Sequence, residues 1–167
     1  MSIYFLHPLL NILFFAIPLA FFEIYMEKAN GWGSGWSRDK WYAKSILRGT
    51  KIGNVLTRVT KLEAPLNYHL ILSYFIFGGV FILEYIFGTR NIFLVLASLF
   101  ITLLAAELVW FSCNWYFDSW KQLLKGPQGS IFWHKSWIQI YKNHYLPSVY
   151  FTYFILGIIF LILARFI

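Results

Sequence analysis

Four stretches of this chain are apolar for about twenty residues at a time: Ile3 to Met26, Leu66 to Phe87, Asn91 to Cys113 and Ser148 to Ile167. About 20 apolar residues carry a helix across the hydrocarbon core of a bilayer. Backbone groups in that solvent must pair within their own segment, which leaves the helix as the local structure. The expected fold class is therefore an all-α integral membrane protein. It has four transmembrane helices in a single domain over residues 1–167, with short amphipathic interfacial helices in two long loops, 27–65 and 114–147. With 59% hydrophobic and only 13% charged residues, neither a disordered chain nor an ordinary soluble domain fits. The lone Cys113 excludes an internal disulfide and a multi-thiolate metal site. The first stretch lacks a basic n-region and is expected to be a retained helix, kinked or supported at Pro18.

Charge sets the expected orientation. Eight Lys and Arg residues lie between Glu27 and Pro65 and four between Asn114 and Pro147, so 12 of the 14 basic residues fall in the two long loops. The positive-inside rule places both loops in the cytoplasm, with both termini and the Gly88–Arg90 link outside. The +7 net charge is thus local and suits anionic lipid headgroups. No nucleic-acid motif is present, and membrane lipids are the expected partners.

The loops carry patterns of their own. Lys40, Lys44, Arg48 and Lys51 recur at helical spacing, with Asp39 as a candidate N-cap. Ile52, Val55, Leu56, Val59 and Leu62 form an apolar stripe, and Gly49 and Gly53 divide the segment. In the second loop Gly126–Gly129 reads as a turn. Asn114 to Lys125 is expected to prolong the third span, and Trp133, Trp137, Ile140 and Tyr141 repeat at helical spacing. Seven of the eight Trp residues lie in or beside these loops, which points to a cap folded under the inner leaflet. Glycines in the Gly31–Trp36 run permit tight turns between rings. Trp36, Lys40, Lys44, Arg48, Trp133, Lys135 and Trp137 are the expected headgroup-binding residues.

Ionisable groups in hydrocarbon need a partner or a use. Glu84 is expected to pair with Arg90 or Arg165. Glu107 lies seven residues before Asn114, roughly 10 Å inside the boundary at the helical rise. Glu107, Phe111, Asn114 and Asp118 share one helical face. With His134 from the second loop and Glu23 from the first span, Glu107, Asn114 and Asp118 form a donor set that would suit a divalent cation. Glu107, Asp118 and His134 are the candidate catalytic groups for acid–base work. No H-E-x-x-H or similar signature supports the metal. Gly78–Gly79, Ala105–Ala106, Ser98 and Thr102 read as small-residue packing surfaces.

The function these features favour is binding or modification of an anionic lipid headgroup or other amphiphile at the cytoplasmic leaflet. Two alternatives stand beside it. One is a non-catalytic accessory subunit of a larger membrane complex or self-assembly. The other is an oligomeric transporter or channel, weakened by the lack of a continuous polar stripe along any one span.

Overall fold

A computed structural model describes residues 3–28, 31–33, 36–37, 39–117 and 119–166. Most of them are helical, and three helices are long and apolar enough to cross a membrane. Helix α1, Leu6–Glu27, survives its two prolines by widening. Over Ile12–Ala16 the Ile17 N–H reaches back five residues to the Ile12 carbonyl. That wide turn sits directly before Pro18, which has no N–H to give. The helix stops at Lys28, whose φ is +56°.

The first loop then makes short turns at Gly31–Gly33 and Trp41–Ala43. The helix expected from Lys40 to Lys51 is absent. Its spacing came from charges alone, with no apolar face to bury, and helix α2 begins only at Lys51 and ends at Thr60. Its N-cap is Thr50 rather than Asp39: the Thr50 hydroxyl accepts the Gly53 N–H at 3.0 Å. Helix α2 is strongly amphipathic, with Ile52, Val55 and Val59 exposed.

Helix α3, Asn67–Thr89, and helix α4, Ile92–Cys113, follow across the short link. The Asn91 side chain caps α4 by accepting the N–H groups of Phe93 and Leu94 at 3.1 Å. Helix α4 ends at Asn114 instead of continuing through Lys125, and a short helix α5, Ser119–Leu124, restarts after the turn. The segment expected to be helical after Gly129 is a β-hairpin. Strand β1, Trp137–Tyr141, pairs antiparallel with strand β2, His144–Pro147, through a turn with positive φ at Lys142. Helix α6, Ser148–Leu163, is apolar but only 16 residues long.

Helix α4 is the centre of the packing, with α1 on one side and α6 on another. Ala16, Ala20 and Ile24 of α1 and Ala97, Ser98, Thr102 and Ala106 of α4 are buried, so small residues let the backbones approach. At α6 the close contact is Gly157, where a Cβ would lie 2.9 Å from Ile101 Cγ1. Gly78 and Gly79 do not serve as a packing surface: a Cβ on either would meet nothing within 4 Å. Helix α3 is held instead by Phe77 and Phe81, which pack with Phe15, Leu19, Val95, Leu99 and Leu103.

The two long loops are knitted together at one end of the helices. Glu63 N–H donates to the Trp133 carbonyl at 2.9 Å and Lys135 N–H to the Lys61 carbonyl at 2.7 Å, a short antiparallel bridge at Leu62 and His134. The Asn114 side-chain amide adds a tie to the Lys28 carbonyl at 2.8 Å, joining the ends of α1 and α4.

Candidate functional site

Carboxylates gather beneath that loop cap. Glu23 and Glu27 are one turn apart on α1 and so share a face. Glu107 and Trp110 are likewise one turn apart on α4, and His69 comes from the first turn of α3. With Trp133 from the second loop, these residues line a small chamber of ≈ 30 Å³. That is room for a group of about the size of a water molecule or two. His69 Nε2 lies 3.1 Å from Glu27 Oε1, with both side chains 5% exposed. Tyr150, in the first turn of α6, donates its hydroxyl to Glu107 Oε2 at 3.2 Å. The Trp110 indole N–H, 95% buried, has no acceptor among the described residues.

A second cavity of ≈ 270 Å³ adjoins the chamber and shares Glu23, His69 and Glu107 as its wall. It is a groove between α3 and the α4–α6 pair. Leu19, Gly78, Leu99, Leu103, Ala106 and Tyr153 give it apolar sides, and Leu56 and Thr60 of α2 with the 62–65 segment cover its loop end. The missing side chain at Gly78 helps to keep it open. An apolar trough therefore lies beside a chamber with hydrogen-bonding walls, and Glu23, His69 and Glu107 line both.

The expected site residues separate in the structure. Glu107 and Glu23 line both cavities. Asn114 is committed elsewhere: its amide binds the Lys28 carbonyl and its oxygen accepts the Tyr116 N–H at 3.0 Å, closing the turn after α4. Asp118 lies outside the described residues, as do Ser34 and Gly35 of the Gly31–Trp36 run. His134 is 4% exposed and lines neither cavity. Its ring packs against Trp137 at 5.7 Å and Tyr150 at 5.6 Å, and neither nitrogen has a partner among the described residues. Burial pushes its pKa down to about 3. It reaches the neighbourhood of Glu107 only across Tyr150. Among the described residues no group of three or more His, Cys, Asp and Glu side chains is placed to hold a metal ion.

The headgroup set separates too. Trp133 is core, stacked on Phe111 and edge-on to Trp110, with Gly31 pressed so close to its ring that a Cβ there would lie 2.3 Å away. Trp36 packs edge-on to Tyr42 and Tyr68, and Trp137 opens strand β1. Lys135 pairs with Glu63. Lys40 lies 3.6 Å from Asp39, and Lys40, Lys44 and Arg48 are exposed away from both cavities.

Glu27, His69, Trp110 and Tyr150 were not anticipated at one site. The 23/27 spacing was a usable signal. Tyr150 carried none, because a tyrosine near a membrane boundary is ordinary. A second polar cluster lies toward the other end of the helices. Glu84 is held there by His7 at 2.8 Å and Asn11 at 3.0 Å, not by Arg90 or Arg165 as expected, and His7 Nδ1 meets Ser98 Oγ at 2.8 Å. Comparisons with protein families, with curated proteins and with solved structures gave no match to this chain.

Proposed function

We propose that this chain is a membrane-embedded protein that binds the tail of a single-chain amphiphile in its groove and the polar end in the acidic chamber. The observation that supports this reading is that an apolar cavity along the helices and a polar chamber at the loop end share Glu23, His69 and Glu107 as lining. In this reading α6 is the fourth crossing, its 16 residues extended by the turn that follows it. The basic loops lie at the cytoplasmic face. Exposed Trp41 and Trp115, and Ile52, Val55 and Val59 of α2, rest in that interface beside Lys51 and Arg58. Carboxylate walls disfavour an anionic headgroup inside the chamber, so anionic lipids are assigned to the outer surface of the loops.

The test is native mass spectrometry of protein released from nanodiscs. Wild type is expected to retain a bound amphiphile, and Gly78→Leu, which adds a side chain to the groove's lining where a Cβ has open space, to lose it. Equal retention by both proteins would remove the groove from the function.

A further inference from the structure

We infer that the polar end of the amphiphile is a primary ammonium, so that the site takes a long-chain amine with a single tail. The inference rests on the amphiphile-binding reading above and names the chemistry of that site. It starts from the charge balance of the two cavities. Glu23, Glu27 and Glu107 line the chamber, and Glu23, Glu63 and Glu107 line the groove. Among the described residues no lysine or arginine lines either cavity. Two of the four carboxylates are matched within the fold, Glu27 by His69 at 3.1 Å and Glu63 by Lys135. Glu107 receives a neutral hydroxyl, that of Tyr150. Glu23 receives neither a hydrogen bond nor a cation from the described residues, and the charged groups that act on it are two further carboxylates, Glu27 and Glu107.

The two carboxylates left without a cation, Glu23 and Glu107, are the two that line both cavities. The unmatched negative charge therefore sits where the apolar space meets the polar one. A carboxylate in apolar surroundings is costly without a positive partner. Leu19, Leu99 and Leu103 suit hydrocarbon on the groove side. A ligand that answers both cavities carries its positive charge at one end of a chain. A primary ammonium brings three N–H donors and no acceptor, which matches walls of carboxylate oxygen. It is also about the size of a water molecule, as the chamber of ≈ 30 Å³ requires. A quaternary ammonium is bulkier and has no N–H, an alcohol brings no charge, and a phosphate brings the wrong one.

The experiment is equilibrium binding of radiolabelled dodecylamine, dodecyltrimethylammonium, dodecanol and dodecyl phosphate to the full chain in phosphatidylcholine nanodiscs, against empty nanodiscs. Wild type is expected to bind dodecylamine about tenfold more tightly than dodecanol, with dodecyl phosphate weakest. Glu23→Gln, which removes the charge and keeps the shape, is expected to weaken dodecylamine about tenfold and to leave dodecanol unchanged. Asp39→Asn, which removes a charge from the exposed first loop, is expected to change neither. The wild-type ranking tests the inference even if Glu23→Gln fails to fold. Dodecyltrimethylammonium binding as tightly as dodecylamine would overturn the seating of an ammonium in the chamber. Displacement of dodecylamine by phosphatidylethanolamine added to the nanodiscs would overturn the single tail. Dodecanol binding as tightly as dodecylamine, with both lost in Gly78→Leu, would overturn the ammonium while keeping the groove. Binding of every chain unchanged by Gly78→Leu would remove the groove reading itself, and the ammonium with it.

Discussion

His134 offers the sharpest test of how the loop cap is built. Its imidazole is 4% exposed, flanked by Trp133, Trp137 and Tyr150, and neither nitrogen has a partner among the described residues. The unfolded chain takes up a proton at the ordinary value of 6.5, whereas the folded chain refuses it until about pH 3. The unfolded state therefore binds more protons in between, and stability must fall as the pH drops through that window. Lowering the pH from 7 to 5 removes about 2 kcal/mol through this one residue. His134→Phe abolishes the term. Because the nitrogens make no hydrogen bond with the described residues, the variant is expected to be within about 1.5 kcal/mol of wild type at pH 7. Equilibrium unfolding in mixed micelles at pH 7 and pH 5, followed by circular dichroism, reads both numbers. The informative quantity is the difference in acid sensitivity between the two proteins, which isolates His134. Equal acid sensitivity would refute a buried neutral imidazole. So would a loss of several kcal/mol at pH 7, which would mean that the ring holds a hydrogen bond after all.

Other substitutions probe separate joints. Gly31→Ala drives a methyl into the Trp133 ring and is expected to destabilise by about 1–3 kcal/mol, seen as a lower midpoint in the same unfolding assay. Thr50→Ala removes the cap of α2 and is expected to cost that helix about 1 kcal/mol, read as faster amide exchange at Lys51–Thr60 with the spans unchanged. His69→Leu leaves the buried Glu27 carboxylate without its imidazole and is expected to destabilise by about 3–5 kcal/mol, whereas breaking the more exposed Lys135–Glu63 pair with Lys135→Met is expected to cost less than about 1 kcal/mol.

The long helices were legible because bilayer thickness imposes a length on apolar runs, and that constraint needs no tertiary information. The first loop was half legible. Ile52, Val55 and Val59 recur with a helical period and do lie on α2, but the charges from Lys40 to Arg48 keep the same period without forming a helix. Periodicity in charge alone reports no buried face. The second loop was misread because Trp133, Trp137, Ile140 and Tyr141 fit a helix as counted. The turn at Lys142 and the pairing of Ile138 with Leu146 take precedence over that spacing. At the site, depth alone identified Glu107. Its companions were hidden because Glu27 and His69 stand where a linear reading begins or ends a loop. Only the folding of that loop back over the helices buries them.

Two polar clusters within one apolar chain invite a path between them, and their hydrogen bonding argues for different roles instead. Around Glu84 each donor meets an acceptor: His7 contacts Glu84 with one nitrogen and Ser98 with the other, and Asn11 donates to the same carboxylate. A network completed in that way fixes three helices against one another and has nothing left to offer a ligand. The chamber differs, because Glu23, Glu107 and Trp110 line a void. The hydroxyls of Tyr68 and Thr102 also lack partners among the described residues, but neither lines either of these two cavities. Between the clusters Phe15, Phe77 and Phe81 pack together with Leu19, Leu99 and Leu103, and those three leucines form an apolar side of the groove. The end with the satisfied network is the clamp. At the other end Glu23, His69 and Glu107 line both cavities, the feature on which the proposed amphiphile site rests.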